Sequence, residues 1–372
     1  MEETISATEA ARRLGVKPAT LYTYVSRGWL HSLPGDDRRR RRYLADEVEA
    51  LRARAEAARG HRAVAAHALR WGQPVIDTAI SDISPEGPRY RGLALADAIT
   101  EGFEAVAARL WGVPSAPWPT PPPPDIQPGP PDQDLHRRLL RLLASDASAA
   151  PPMIVRRLAL GCACSVEDAA RAAKQPTISR ALAAALGAAG HHEAIDAALV
   201  VCAEHELNAS TFAARVVAST GASLAMSLCA AMAALSGERH GACSERVEDV
   251  LASIGHVQDV EAVLEHQLDV AQALPGCGHR LYPGGDPRAR VLIDLVTPID
   301  VDDALLEEIE DRGLPAPNLD LGLVVVRRAL GLPRGSAQAI FAVGRTAGWI
   351  AHVLEERERN AVIRPRARYT GP

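Results

Sequence analysis

The stretch "AEHELNASTFAARVVAST", residues 203–220, sets His205, Glu206 and Asn208 directly ahead of a long run of small and apolar residues. Asn208 and Ser210 are residue types whose side-chain oxygens accept from the unpaired N–H groups that open a helix. The stretch therefore predicts a core helix entered from a polar corner. At such an edge His205 can reach a cleft without burying an unpaired charge. The same arrangement recurs three times: His240 in "GERHGACS" (237–244), His279, Arg280 and Arg288 in "GCGHRLYPGGDPRA" (276–289), and Asn318 with Asp320 in "APNLDL" (316–321). Taken singly, a histidine at a helix end is more often a structural hydrogen-bonding group than a catalyst. The case rests on the four occurring together.

The rest of the chain suits a helical frame. Hydrophobic residues make up 47% of the 372 and aromatics only 4%, the excess being Ala and Leu, which favour helix over strand. The length allows two or three structural units. The formal charge of −5 is uneven: residues 1–60 hold 12 Lys and Arg against 9 Asp and Glu, a small basic module on an acidic body. The six cysteines show no paired metal-ligand spacing and "MEETISATEA" lacks the apolar core of a signal peptide. Nor does any apolar run reach the roughly 18 residues of a membrane span. A soluble, cytoplasmic protein with reduced thiols and no metal site is the expectation.

Along the N-terminal module, Ser6 and Glu9 stand in capping-box register, Gly15 ends the first helix, Pro18 opens a second and Gly28 caps it. Two short helices about a tight turn form a helix-turn-helix. Arg38, Arg39, Arg40, Arg41 and Arg42 then run unbroken ahead of Tyr43 and a third, charged helix. This module, residues 1–60, resembles the winged helix-turn-helix of MerR and excisionase-type proteins. In such a domain Thr20, Tyr22 and Thr23 would face a DNA groove while the arginines neutralise phosphate. A solvated arginine loop, or a module that only makes protein contacts, accounts for the same residues.

Near residue 72 the composition changes. Gly87 and Pro88 mark a short hairpin, and helix resumes through "EGFEAVAARLWG" (101–112). Residues 114–132 are too proline-dense for helix or central strand and read as an extended spacer. Beyond Pro152, apolar residues recur at three and four through a series of helices. The last of these, "TFAARVVASTGASLAMSLCAAMAAL" (211–235), reads as one closely packed helix.

In this order the four polar clusters resemble the citrate synthase family. "AEHELNASTFAARVVAST" is nearly the bacterial family segment, "GCGHRLYPGGDPRA" matches its Gly-x-Gly-His-Arg-x-Tyr…Asp-Pro-Arg block, and "GRTAGWIAHVLEERERNAVIRPRARYTGP" (344–372) matches its C-terminus. "YRGLALADAI" (90–99) resembles its early Tyr-Arg-Gly block, so the likeness covers residues 72–372. It implies a mainly α, multihelical citrate synthase-like fold of large and inserted small helical domains. The implied activity condenses acetyl-CoA with oxaloacetate and hydrolyses the thioester to citrate and free CoA, as in the tricarboxylic acid cycle, with no separate cofactor. A propionyl-CoA-using, 2-methylcitrate variant belongs to the same reading.

The resemblance also assigns roles. Asp320 matches the base that takes a proton from the thioester methyl, and His240 the donor that stabilises the developing enolate. His279 matches the acid that polarises the ketone, and His205 a further histidine at oxaloacetate. Arg288 and Arg345 match the carboxylate clamps, for which planar guanidinium groups are suited. Arg364 matches the arginine that reaches a partner's site, which implies a homodimer. Two surroundings depart from the family pattern: its "GPLHGGAN" is "GERHGACS" here, and Asp320 is followed by Leu321, Gly322 and Leu323 rather than an aromatic, Ser and Gly. The N-terminal module supports a second reading, a metabolite-sensing DNA-binding regulator built on the same body.

Overall fold

The computed structural model describes residues 4–17, 20–21, 24–25, 30, 32–34, 41–49, 51, 75–114, 118, 128–129, 135–145, 150–241, 243–271, 273–359 and 361–365. The chain divides into two compact units, one of Met1–Asp77 with Arg364–Pro372 and the other of Thr78–Ile363.

In the first unit a short strand β1 (Thr4–Ser6) leads into helix α1 (Ala7–Leu14). Strands β2 (Ser32–Pro34) and β3 (Arg41–Leu44) complete an antiparallel sheet of order β1-β3-β2. Ser6 Oγ accepts from the Glu9 N–H at 3.2 Å, and Gly15 closes α1 at φ 64°. The second half of the capping box is not made, because the Glu9 carboxylate is taken by Arg12 and Arg13. That opening strand has no sequence signal beyond three residues, and it exists because β3 pairs with it from Leu44 to Arg42. Ile5, Leu14, Leu21, Leu30, Tyr43 and Val48 form the small core.

The second unit begins with a hairpin, β4 (Ser81–Ser84) and β5 (Gly87–Tyr90), extended by β6 (Leu93–Ala94). Helices follow: α2 (Leu95–Glu101), α3 (Phe103–Trp111), α4 (Leu135–Ser145), α5 (Pro151–Gly161), α6 (Val166–Ala173), α7 (Ile178–Ala185) and α8 (His192–Cys202). Of the proline-rich stretch only Pro114, Trp118, Pro128 and Gly129 are described, and the expected spacer otherwise lies outside the described residues. Trp118 stacks on Trp111, ring centroids 5.4 Å apart, and Gly129 bonds the Ala163 carbonyl and the Arg138 guanidinium, which ties that stretch to the core at both places.

The 211–235 run is two helices rather than one, α9 (Ala209–Ser219) and α10 (Leu224–Leu235). Gly221 stands between them at φ 83°, a conformation only glycine adopts without strain, and Ser223 caps the second. The remaining helices are α11 (Cys243–Ser253), α12 (Val260–Ala271), α13 (Pro287–Asp294), α14 (Asp300–Asp311), α15 (Leu319–Ala329) and α16 (Ser336–Arg359). Long α16 is buried along most of its length and serves as the core's axis, with α3, α8, α9 and α10 packed around it. Gly344 and Gly348 let α8 and the residues after it lie directly on α16, since a Cβ at Gly344 would stand 2.8 Å from the Leu199 carbonyl. No helix among the described residues is long and apolar enough to cross a membrane.

Candidate active site

Two loops carry the site, and backbone pairing ties them together. Gly278 N–H donates to the Ala316 carbonyl and Asn318 N–H to the Gly276 carbonyl, both at 2.8 Å, so "GCGH" lies along "APN". Asn318 then caps α15 through its Oδ1 and donates from Nδ2 to the Gly278 carbonyl. His279 and Asp320 are thereby placed on adjoining segments although 41 positions separate them. A side chain at Gly276 would strike Val247 at 2.7 Å and Leu321 at 2.9 Å, which is why this approach requires glycine.

Asp286 is the bracket between the loops. Its carboxylate caps α13, grips the Arg288 guanidinium at 3.0 and 2.8 Å and accepts from the Leu319 N–H at 3.2 Å. Burial raises the Asp286 carboxyl, but Arg288 outweighs it and the net shift is downward, so the pair is ionised. Arg288 is 3% exposed and also lies 5.8 Å from the Tyr282 ring centroid.

Two imidazoles stand at this bracket, and a third, His240, stands at the Ser210 corner. His205 and His279 meet edge to face at 5.3 Å, and His205 Nε2 is 3.2 Å from the Tyr282 hydroxyl. His279 Nδ1 lies 3.2 Å from the Leu281 N–H and Nε2 3.3 Å from an Arg288 nitrogen, itself only a donor, so each ring nitrogen faces a donor. His240 Nε2 lies 2.8 Å from Ser210 Oγ, which in turn donates to Asn208 Oδ1 at 2.7 Å and accepts from Trp349 Nε1 at 3.1 Å.

All three histidines are held neutral. Burial depresses His240 to about 4, with Arg345 adding to the effect. Burial followed by Arg288 lowers His279, and burial with Arg288, Arg345 and His279 drives His205 well down. Neutral imidazoles donate hydrogen bonds without adding charge. Asp320 moves the other way: burial lifts it to about 7, with Arg288 and the Cys243 thiol opposing the rise. A carboxylate poised there is matched to proton abstraction near neutral pH.

Cys243 opens α11, three residues after His240, and its N–H donates to the His240 carbonyl at 3.0 Å. Burial pushes its thiol to about 11, so it stays protonated and donates to Asp320 while the Gly276 backbone bonds the sulfur. It links the His240 corner to the Asp320 corner. Cys243→Ala is expected to move the acid limb of the pH–rate profile to higher pH, because a bond that favours the ionised carboxylate is lost; an unmoved limb contradicts that link.

Arg345 projects from α16, 1% exposed, with Nε donating to the Cys202 carbonyl at 2.6 Å and its guanidinium over the Phe341 ring at 4.9 Å. One of its nitrogens, Nη2, is buried without a protein partner. A buried cationic donor left unpaired is costly, and a carboxylate is the group that satisfies it.

The second unit thus gathers six of the seven sequence-selected residues, His205, His240, His279, Asp320, Arg288 and Arg345. Arg364 is exposed and falls just past that unit's boundary. Within the N-terminal module, Thr20 is part-exposed on helical backbone, and Arg41 is exposed on β3. Arg42 is spent inside the sheet, its guanidinium donating to the Thr4 hydroxyl and carbonyl. Tyr22, Thr23, Arg38, Arg39 and Arg40 lie outside the described residues. Sequence reasoning took Ser210 only for a cap and overlooked Asp286, Cys243, Tyr282 and Trp349. Asp286 had a signal in the Asp-Pro-Arg block; Trp349 had none.

Comparison with known proteins gives the family and the fold. The model of the citrate synthase C-terminal domain matches residues 130–366, well over half of the chain. The chain belongs to the citrate synthase family. A helix-turn-helix domain model matches residues 4–55. "Citrate synthase 2" of Bacillus subtilis is 40% identical over 191 residues, 48% of this chain and 51% of that protein. Citrate synthase of Haloferax volcanii is 39% identical over 191 residues, 48% of this chain and 50% of that protein. The chain therefore spans about half the length of the curated relatives it matches. Among solved structures, citrate synthase from Thermotoga maritima has a TM-score of 0.64 at 25% identity, covering 81% of this chain and 94% of that one. The citrate synthase of Thermoplasma acidophilum, solved with carboxymethyl coenzyme A and oxaloacetate, has a TM-score of 0.66 at 22% identity over 80% of this chain and 94% of that one. The mainly α, citrate synthase-like fold expected from the sequence is the one observed.

Proposed function

We propose that this citrate synthase-family chain condenses an acyl-CoA, acetyl-CoA foremost, with oxaloacetate. The observation that carries the reading is the Asp286 bracket, which joins the start of α15, where Asp320 stands, to buried Arg288 beside His279, together with the buried, unpartnered Nη2 of Arg345. Asp320 takes a proton from the carbon next to the thioester carbonyl, and His240 donates to the oxygen on which charge then gathers. The new carbanion-like carbon bonds to the ketone carbon of the oxo acid, whose oxygen receives a proton from the His279 ring. Arg288 and Arg345 hold the two carboxylates. Water then cleaves the thioester, giving the tricarboxylate and free CoA, with no cofactor beyond CoA itself. The test follows free thiol on mixing the protein with oxaloacetate and acetyl-, propionyl- or longer acyl-CoA. Thiol release with the first two is expected, and none with any acyl-CoA overturns the reading.

Arg364, in this reading, completes the pocket of a second copy, which makes the working unit a homodimer. Residues 72–372 form the enzyme body and residues 1–60 a separate module. Six cysteines with no disulfide among the described residues fit a reducing compartment, the cytoplasm.

The helix-turn-helix match favours a second role at DNA. A dimer would present two modules to a palindromic site, with binding that weakens steeply as salt rises. A gel-shift titration between 50 and 200 mM salt, on the order of the range over which phosphate contacts are released, should show that loss. No shifted fragment at low salt excludes the role.

A further inference from the structure

The mechanism leaves unused a chain of ionisable groups buried beneath the pocket. Glu204, His352 and Arg215 are each fully buried, and Glu356 is 2% exposed. Arg215 donates from Nε to Glu356 at 2.6 Å and from Nη1 to Glu355 at 2.6 Å and to His352 Nδ1 at 3.0 Å. Because a guanidinium only donates, His352 Nδ1 must accept, and the ring proton sits on Nε2. From there it donates to Glu204 Oε1 at 3.1 Å, the same oxygen that accepts from the Ser81 hydroxyl at 3.1 Å. The order Arg215, His352, Glu204 is therefore fixed by donor and acceptor type.

Its end point is what gives it a task. Residues 202–204 lie along one face of α16 in three successive contacts. Arg345 Nε bonds the Cys202 carbonyl, Gly348 N–H bonds the Ala203 carbonyl at 3.0 Å, and His352 bonds the Glu204 side chain. Positions 345, 348 and 352 are stacked turns of one helix face. A Cβ at Gly348 would stand 2.2 Å from Glu204 Oε2 and 2.4 Å from the Ala203 carbonyl, so the segment is seated on the helix itself. His205 is the next residue. The segment thus enters the site from a clamp whose first contact is Arg345 and whose last is His352.

We infer that His352 and Glu204 are positioning residues: their bond, braced by Arg215 and Ser81, registers the 202–205 segment on α16 so that His205 and Arg345 face one dicarboxylate. This rests on the functional reading above and deepens it. Neither residue touches substrate. The His352 ring acts as a two-ended spacer, accepting on one side and donating on the other, and a glutamine amide has the same pair of ends.

The experiment compares His352→Gln, His352→Leu and Ser81→Ala in the full chain, measuring the oxaloacetate Kd by calorimetry without acyl-CoA, then KM, kcat and Tm. His352→Gln should keep the Kd within about threefold, whereas His352→Leu should weaken binding and raise KM by at least about tenfold with a smaller change in kcat, the effect of a misplaced clamp. Ser81→Ala, which removes one of two bonds to Glu204, should raise Kd by a smaller factor and decides the matter if the leucine variant does not fold. Should the leucine and alanine variants lower Tm but leave Kd and KM at wild-type values, or should glutamine fare no better than leucine, the positioning role is overturned. A wild type that neither binds oxaloacetate nor releases thiol strikes instead at the functional reading.

Discussion

Asp320→Asn is expected to lower kcat by about 10³-fold, the scale of a lost general base, while oxaloacetate binding stays close to wild type. The asparagine keeps the shape of the side chain and its place on the first turn of α15, but it cannot take a proton. For the wild type, the rate should rise with pH through about 7, the pH at which Asp320 ionises, because only the ionised form is the base. A second consequence concerns stability, and its sign follows from the direction of the shift. A carboxyl whose folded value is raised contributes its full stability below the ordinary carboxylate range and loses it as pH climbs through the folded value. At pH 8 the asparagine variant escapes that loss, so its Tm should be above the wild type's, with the gap closing at acid pH. An inactive variant with an unchanged gap across pH would place the essential charge elsewhere.

Arg345→Met should weaken oxaloacetate binding by about 10²- to 10³-fold, the cost of removing one side of a buried charge pair. Two features set the size. Arg345 is all but fully buried, and its Nη2 has no partner within the protein, so a bound carboxylate meets a donor that nothing else satisfies. Arg345→Lys should recover part of the loss only, since an ammonium supplies charge without the planar fork. Calorimetric titration of the three proteins with oxaloacetate reads this directly, and equal affinities would remove Arg345 from the pocket.

The parts of the site legible in the sequence were those whose chemistry and backbone requirement coincide within a few residues. His279 and Arg288 sit in a block of glycine, proline and aspartate that could be read as a built loop, and the loop is built by Gly276 and Asp286 as those residue types demand. Asp320 and Asn318 were legible as polar residues at the edge of an apolar helix, and Asn318 caps α15. What could not be read was partnership over long separations. Arg215, His352 and Glu204 are joined across 137 and 148 positions, and each alone resembles a solvated charge on a helix. Ser210 misled for a related reason: next to Asn208 it looked like a helix cap, but Asn208 alone accepts from the Thr211 N–H, leaving the serine for His240. The break at Gly221 was hidden by an unbroken run of small apolar residues on either side, which carries no period that distinguishes one helix from two.

The helical class followed from composition and spacing, and the citrate synthase-like fold from the resemblance of the motif blocks, because long apolar helices need only burial, whereas the short N-terminal strands needed a partner. Strand β1 has three residues and owes its existence to pairing with β3. The same pairing decides the fate of Arg42, which looked from the sequence like one more phosphate contact and is committed to Thr4.

The most direct test of the account is a crystal structure of the full chain with oxaloacetate and a non-reactive acyl-CoA analogue. One carboxylate is expected on Arg345 Nη2 and the other on Arg288, the keto oxygen within hydrogen-bond reach of the His279 ring, and the acyl carbon beside Asp320. Oxaloacetate bound away from both arginines, or an Asp320 carboxylate turned from the acyl carbon, would contradict it.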